Sequence, residues 1–446
     1  MKPNEGIVFT GRTGGGKSTA MRIILQQLLR KPKRGFLMRR PRKAGCLWFT
    51  AKSDEADIAE NIILGAGRGR DLIRYDPGSM IRFNPLTYEM SRKGGSAVTL
   101  SQIFRDIYQV IQRGDKKGED FWEGHFTSCM MHAINLVWIA LGEESSIEWM
   151  YQVAATSPET TKDEGKSHCK TIIERASKRA VKPDQIRQVL LAKDYFLNVL
   201  PSAGEKVRGA VLSQVLNTLL PFTMPPLSDT VNGVTNFDPE TAIQSGRCVI
   251  LDYDLTTYGK HGLAFQLMNS FFFLEAVLRR RDTRTPFIFA RDEYQLYCHP
   301  DRDISAQGIA RSQNFISMAA FQTLPVLVDG LGGGIEAKTQ SQALYSCHVN
   351  KYMLNNNCVE TNEMNAKICG MKRMMFMNVS NNHQQTSPWD VLGVGNVTAQ
   401  MSQQYHFRVP PITFTQLATG GKENKKIVQA VYHNGFDYSL ARFKQR

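Results

Sequence analysis

At 446 residues, with 42% hydrophobic and 22% charged residues, the chain is long enough for two domains, or for one large domain with an insertion, and has an ordinary globular composition. No apolar stretch reaches the roughly 18 residues that a membrane span needs, since "MMHAINLVWIALG" and "MNSFFFLEAVL" both fall short. The formal charge of +14 points to polyanions, either nucleic acid or an anionic membrane face, without choosing between them.

The first element is "GIVFT", read as a strand. It leads straight into a glycine turn, so the charged, apolar and small-residue order of a signal peptide is missing and export is not expected. Gly11-Arg12-Thr13-Gly14-Gly15-Gly16-Lys17-Ser18 then fits G-x-x-x-x-G-K-[ST]. The next stretch, "STAMRIILQQLL", reads as a helix with Met21, Ile24, Leu25, Leu28 and Leu29 on one stripe. Strand, glycine turn and helix in that order let successive backbone N–H groups curl around a β-phosphate at a positive helix end. Lys17 is expected to reach the β- and γ-phosphates, and Ser18 to sit on Mg²⁺. Gly11, Thr13, Gly14, Gly15, Gly16 and Thr19 complete the candidate nucleotide-binding set, with ATP and Mg²⁺ as cofactors.

Residues 30–45, "RKPKRGFLMRRPRKAG", pack eight lysines and arginines behind that helix. They read as a solvated connector or as a basic arm for phosphates or lipid head groups. With one aromatic, Phe36, base stacking is not its evident purpose. "GCLWFTAKSDEA" reads as strand then helix, and "RDLIRYDPGSMIRFNPL" as strand then turn. From about residue 98 to 220 only helical period follows, including "VTLSQIFRDIYQVIQ" and "VRGAVLSQVLNTLLPF". After Pro225 the alternation resumes with "RCVILDYDL", "AFQLMNSFFFLEAVLRRR", "PFIFA", "FISMAAF", "HVNKYMLN" and "KIVQAVYH". This pattern predicts an α/β fold with a mostly parallel sheet and an inserted all-α domain: residues 1–97 and 221–446 form the nucleotide-binding domain, and 98–220 the insertion. "DGLGGG" (329–334) and "MNVSNNHQQTSPWD" (377–390) are expected to be loops.

A P-loop needs a carboxylate delivered to the metal from another strand. Two segments compete, "CVILDYDL" ending at Asp252 and "PFIFARDEYQLY" ending at Asp292-Glu293. The second is preferred, because it supplies one acid for Mg²⁺ (Asp292) and an adjacent one (Glu293) to orient or deprotonate attacking water. Gln322, at the end of "FISMAAF", is positioned to sense a γ-phosphate. The eight cysteines are scattered without the two-residue spacing of zinc or redox pairs, and read as reduced core thiols.

Together these stretches resemble the coupling proteins of type IV secretion and bacterial conjugation, the TraG/TraD-like branch of the FtsK and HerA superfamily. Besides the P-loop and "DEYQLY", the resemblance rests on "YDPGSMIRFNPL", the "FW" opening the helical block, "ARSQNFISMAAFQ", "NKYMLNNNCVETNEMNAKICG" and the closing "ITFTQLATGGKENKKIVQAVYHNG". It spans most of the chain. It implies a RecA-like ATPase core, a ring of about six subunits, and an arginine from the neighbouring subunit completing each site. Arg311 stands where the family carries that arginine.

The resemblance further implies an ATP-driven motor that recruits a relaxase-type nucleoprotein and pumps DNA, with single strands favoured, into a type IV secretion machine. Two alternatives stay open: a HerA- or FtsK-like double-stranded DNA translocase or phage-assembly ATPase, and an ATP-switched receptor scaffold that pumps no DNA. Typical members begin with two membrane-spanning helices, whereas here the P-loop opens at Gly11. The expectation is therefore a cytoplasmic protein: either an excised or naturally soluble member, or one that a separate membrane protein docks at the inner membrane.

Overall fold

The computed structural model describes residues 5–30, 42–113, 119–162, 167–382 and 396–445. Its centre is a nine-stranded sheet built from β1 (Ile7–Thr10), β2 (Gly45–Phe49), β3 (Leu72–Tyr75), β4 (Cys248–Leu251), β5 (Phe287–Arg291), β6 (Phe315–Phe321), β7 (Asn350–Leu354), β10 (Ile427–His433) and β11 (Tyr438–Lys444). The order across it is β11-β10-β7-β1-β6-β5-β2-β4-β3. Strands β1 to β7 run parallel, and β10 and β11 add an antiparallel edge. The α/β, mostly parallel prediction holds.

Central strands that are covered on both faces are apolar throughout, and alternate side chains serve opposite layers. In β2, Cys46 and Trp48 join the layer carrying α1 (Lys17–Leu29) and α2 (Glu55–Gly65). Leu47 and Phe49 join the other layer, an apolar cluster that runs on through the helices between β3 and β4. Among the described residues that interval holds helices and no strand. A fully buried arginine, Arg68, ties the first layer together: its guanidinium donates to the carbonyls of Leu29 (2.9 Å), Ala44 (2.7 Å) and Gly246 (2.6 Å) and pairs with Asp71.

The polar stretch expected to be a loop from residue 377 is corrected by the structure. Met377 to Asn382 complete β8 (Met371–Asn382), which pairs antiparallel with β9 (Asn396–Phe407) in a separate two-stranded ribbon. The remainder of that stretch, 383–390, lies outside the described residues, as do residues 31–41 of the basic segment. "DGLGGG" is shorter as a loop than expected, since helix Leu324–Gly330 ends inside it and helix Gly334–Cys347 opens at its last glycine. All eight cysteines are free thiols. Among the described residues no helix is long and apolar enough to cross a membrane.

Candidate nucleotide site

The carboxyl ends of β1, β6 and β5 lie side by side, and a parallel sheet opens its crevice there. The P-loop fills the turn after β1. Gly14 (φ 73°) and Gly16 (φ 91°) take left-handed backbone that a side chain resists. At Gly16 a Cβ would also stand 2.5 Å from a methyl of Val428 on β10, so the loop is pressed against the sheet's antiparallel edge. Asn355, just past β7, fixes the loop from the other side. Its carbonyl accepts from the Arg12 N–H (2.8 Å), its side-chain oxygen from Arg12 Nε (2.7 Å), and its amide donates to the carbonyls of Thr415 and Leu417. Gly11 N–H donates to the Gln322 carbonyl at 3.2 Å, which seats Gln322 at the loop's root. Thr13 is exposed at the tip, and Thr19 is half-buried on the first turn of α1.

Lys17 opens α1 and is buried, its ammonium 3.3 Å from the Arg12 carbonyl across the loop. Burial pushes its pKa below the usual lysine value, and the charges of Asp292 and Glu293 oppose that shift. Ser18 donates to the Asp292 carboxylate at 2.5 Å. The second strand's acid is therefore already against the P-loop hydroxyl. Asp252 is not: β4 stands four places from β1, about 19 Å at roughly 4.8 Å per strand, and its carboxylate pairs with Arg74 at 2.6 Å.

Asp292 also accepts the Glu293 N–H at 3.1 Å. Glu293 sits in left-handed backbone (φ 55°, ψ 50°), an uncommon conformation for a non-glycine residue, and its carboxylate accepts from the Gln295 amide at 2.9 Å. Behind the pair, the fully buried Arg291 bonds Asp303 at 2.8 and 3.1 Å and Ser317 at 2.9 Å. Asp303 further accepts from the Tyr294 hydroxyl and the His299 N–H, both at 3.0 Å.

Arg311 lies elsewhere. It is exposed in the turn before β6, whereas Gln322 and the P-loop are at the far end of that strand. Seven residues at about 3.3 Å each put roughly 20 Å between Arg311 and the phosphate loop of its own chain.

Several groups at the site were not foreseen. Glu55, buried at the start of α2, accepts from the Ala51 N–H at 2.6 Å; burial raises its pKa, and the charge of Asp292 adds to that rise. The "SDE" after β2 reads as an ordinary helix start, so the sequence carries no sign of this proximity. Asn355 had a better signal, three consecutive asparagines ending a strand. Among the described residues no group of three or more His, Cys, Asp or Glu could hold a metal. A hydroxyl and a carboxylate are nonetheless a fitting pair for Mg²⁺, a hard cation that keeps waters and phosphate oxygens as its other ligands.

The fold matches three solved structures of one protein over the whole chain. Plasmid coupling protein TrwB in complex with the non-hydrolysable GTP analogue GDPNP gives a TM-score of 0.61 at 13% identity, covering 100% of this chain and 86% of that one. TrwB with ADP and Mg²⁺ gives 0.61 at 12%, covering 100% and 85%. The unbound bacterial conjugative coupling protein TrwBdeltaN70 gives 0.60 at 13%, also covering 100% and 85%. The chain has the TrwB fold. At that identity the likeness is one of architecture, and it agrees with the fold implied by the family that the sequence motifs resemble. No protein-family profile and no curated protein sequence matches the chain.

Proposed function

We propose that the chain is an ATP-driven motor of the coupling-protein kind, which recruits a nucleoprotein and moves DNA into a type IV secretion machine. The observation that carries this reading is the 2.5 Å contact between Ser18 and Asp292, P-loop hydroxyl against second-strand acid, with Glu293 one residue on. TrwB structures hold ADP with Mg²⁺ and non-hydrolysable analogues of GTP and ATP, which supports the same ligands here.

In this reading Gly11 and Gly15 shape the loop through their own hydrogen bonds, the N–H groups of Thr13, Gly14 and Gly16 to Thr19 bind the phosphates, and Lys17 neutralises the β- and γ-oxygens. Ser18 and Asp292 hold Mg²⁺, which when bound draws charge from the transferring phosphoryl group. Glu293 accepts a proton from the attacking water, and Gln322 at the loop root registers the γ-phosphate. Arg311 is too far from its own loop to touch that phosphate, so it acts on a neighbouring subunit's site within a homo-hexamer. Residues 1–97 and 221–446 form the ATPase domain, and 98–220 an all-α domain that meets the nucleoprotein. Basic residues track DNA phosphates without reading bases, and single strands are favoured.

The test measures ATP hydrolysis with no DNA, single strands and double strands, for the parent and for Lys17→Ala, Glu293→Gln and Arg311→Ala. Single strands should stimulate the parent most, with stimulation weakening steeply as salt rises. All three variants should lose turnover, Arg311→Ala by about 10³-fold or more. Slow hydrolysis that ignores DNA would replace the motor with an ATP-switched scaffold. Stimulation by double strands alone would favour a HerA- or FtsK-like translocase.

A further inference from the structure

The Glu293 carboxylate is not left to the P-loop. Among the described residues, its side-chain hydrogen bond is the one from the Gln295 amide at 2.9 Å. Gln295 is in turn held from two directions. On one side lies Gly330, the last residue of helix Leu324–Gly330: a Cβ there would stand 2.7 Å from the Gln295 Cβ and 3.0 Å from its carbonyl oxygen, so the helix end lies flat against Gln295. That helix opens just past Gln322, with Thr323 as its cap.

On the other side is Arg113, which follows helix Ala97–Ile111 among the helices between β3 and β4. Its guanidinium donates to the Gly330 carbonyl at 2.9 Å, to the Cys298 carbonyl, and at a longer 3.4 Å to the Gln295 carbonyl. The same helix carries Asp106, which pairs with Arg302 on helix Pro300–Ile309. The stretch after Glu293 is thus clamped to the helical block at both ends.

The amide contact is kept at a cost. Glu293 stands in left-handed backbone, and the amide oxygen of Gln295 is buried with no hydrogen-bond partner among the described residues. Strain and an orphaned polar atom persist only where the surrounding packing imposes them. If the clamp loosens, the amide can turn toward a partner and the carboxylate is released. A general base has to come within about 2.6–3.2 Å of the proton that it takes, and a carboxylate oxygen already accepting the amide hydrogen is less free to do so.

We propose that Gln295 is a positioning residue that latches Glu293 away from the attacking water, and that Arg113 ties this latch to the helices between β3 and β4. The proposal rests on the P-loop reading above, in which Glu293 is the base, and adds the regulation of that base. Gln322 and Arg113 both bear on one amide, the first through the helix that ends at Gly330, the second through its guanidinium. A shift of the helical block opens the latch, and hydrolysis speeds up.

Steady-state ATP hydrolysis by the full chain without DNA tests this. Gln295→Met keeps the side chain's length and its packing on Gly330 but removes the donor and the orphaned oxygen. It should raise kcat about tenfold, the scale of one hydrogen bond to a charged group, with KM for ATP unchanged and no loss in the urea midpoint. Arg113→Lys, which keeps the charge but loses the fork that spans the carbonyls, should also raise kcat. The double variant should be no faster than Gln295→Met alone, because Arg113 acts through Gln295. A Gln295→Met chain no faster than the parent overturns the latch. An Arg113→Lys change that leaves kcat unraised, or that adds in full to Gln295→Met, overturns the tie to the helical block. Glu293→Gln, measured alongside, separates the two readings. If it hydrolyses ATP at the parent rate, Glu293 is not the base and the site reading itself fails; if it is inactive while Gln295→Met is not accelerated, the latch alone fails.

Discussion

Replacing Asp303 with asparagine isolates what holds the acidic strand in place. Arg291 is 1% exposed, and its guanidinium has two hydrogen bonds to Asp303 and one to Ser317. Asparagine keeps the shape and can still accept from Tyr294 and His299, but it removes the negative charge. The guanidinium cannot shed its own charge, and orphaning one member of a buried pair costs about 3–5 kcal/mol. That is a large part of the roughly 5–15 kcal/mol by which a folded protein is stable. Arg291→Met should cost less, because the carboxyl left behind retains two donors, the Tyr294 hydroxyl and the His299 N–H. Urea unfolding of the parent and both variants measures the ordering. The reasoning is refuted if Asp303→Asn costs under about 1 kcal/mol, an ordinary surface effect, or if Arg291→Met is the more damaging change.

Gly16→Ala should abolish nucleotide binding, read by calorimetry, since the new methyl meets both a left-handed φ and a Val428 methyl at 2.5 Å. Glu293→Gln should retain ATP affinity while losing turnover, because the amide keeps the contact geometry but accepts no proton; a variant still hydrolysing at the parent rate would remove Glu293 from the mechanism. His348 is buried with Nδ1 donating to the Leu344 carbonyl at 2.8 Å and Nε2 accepting from the Ser317 hydroxyl. Burial pushes its pKa down to about 4, against an ordinary 6.5. The unfolded chain binds a proton that the folded one refuses. Stability is therefore lost as pH falls from about 6.5 to 4, by up to about 3 kcal/mol. His348→Leu should flatten that part of the unfolding profile measured against pH.

The parallel sheet was legible because its strands are apolar on both faces and separated by helical periods: "FISMAAF" is β6 residue for residue. The P-loop was legible because its glycines answer to a local backbone requirement. The β8-β9 ribbon was not. The exposed Met375 and Met377 alternate with nothing that marks a buried face, so period-two reasoning had no purchase. Nothing in the sequence sets Arg68 and Arg291 apart from the other arginines of a basic chain, and only the fold brings their carbonyl and carboxylate partners within reach. Glu55 and Asn355 reach the site from segments far away in the chain, a proximity that spacing along a sequence cannot encode.

Strand β6 begins just after Arg311, ends just before Gln322, and has all seven of its residues buried. In the proposed ring, with the arginine engaging an adjoining subunit, one stiff rod would join consecutive ATP stations, with no slack loop to absorb movement between them. Firing at one station would then be felt at the next as a rigid shift, so subunits would take turns by leverage, and softening that rod would desynchronise the ring while leaving each station chemically intact.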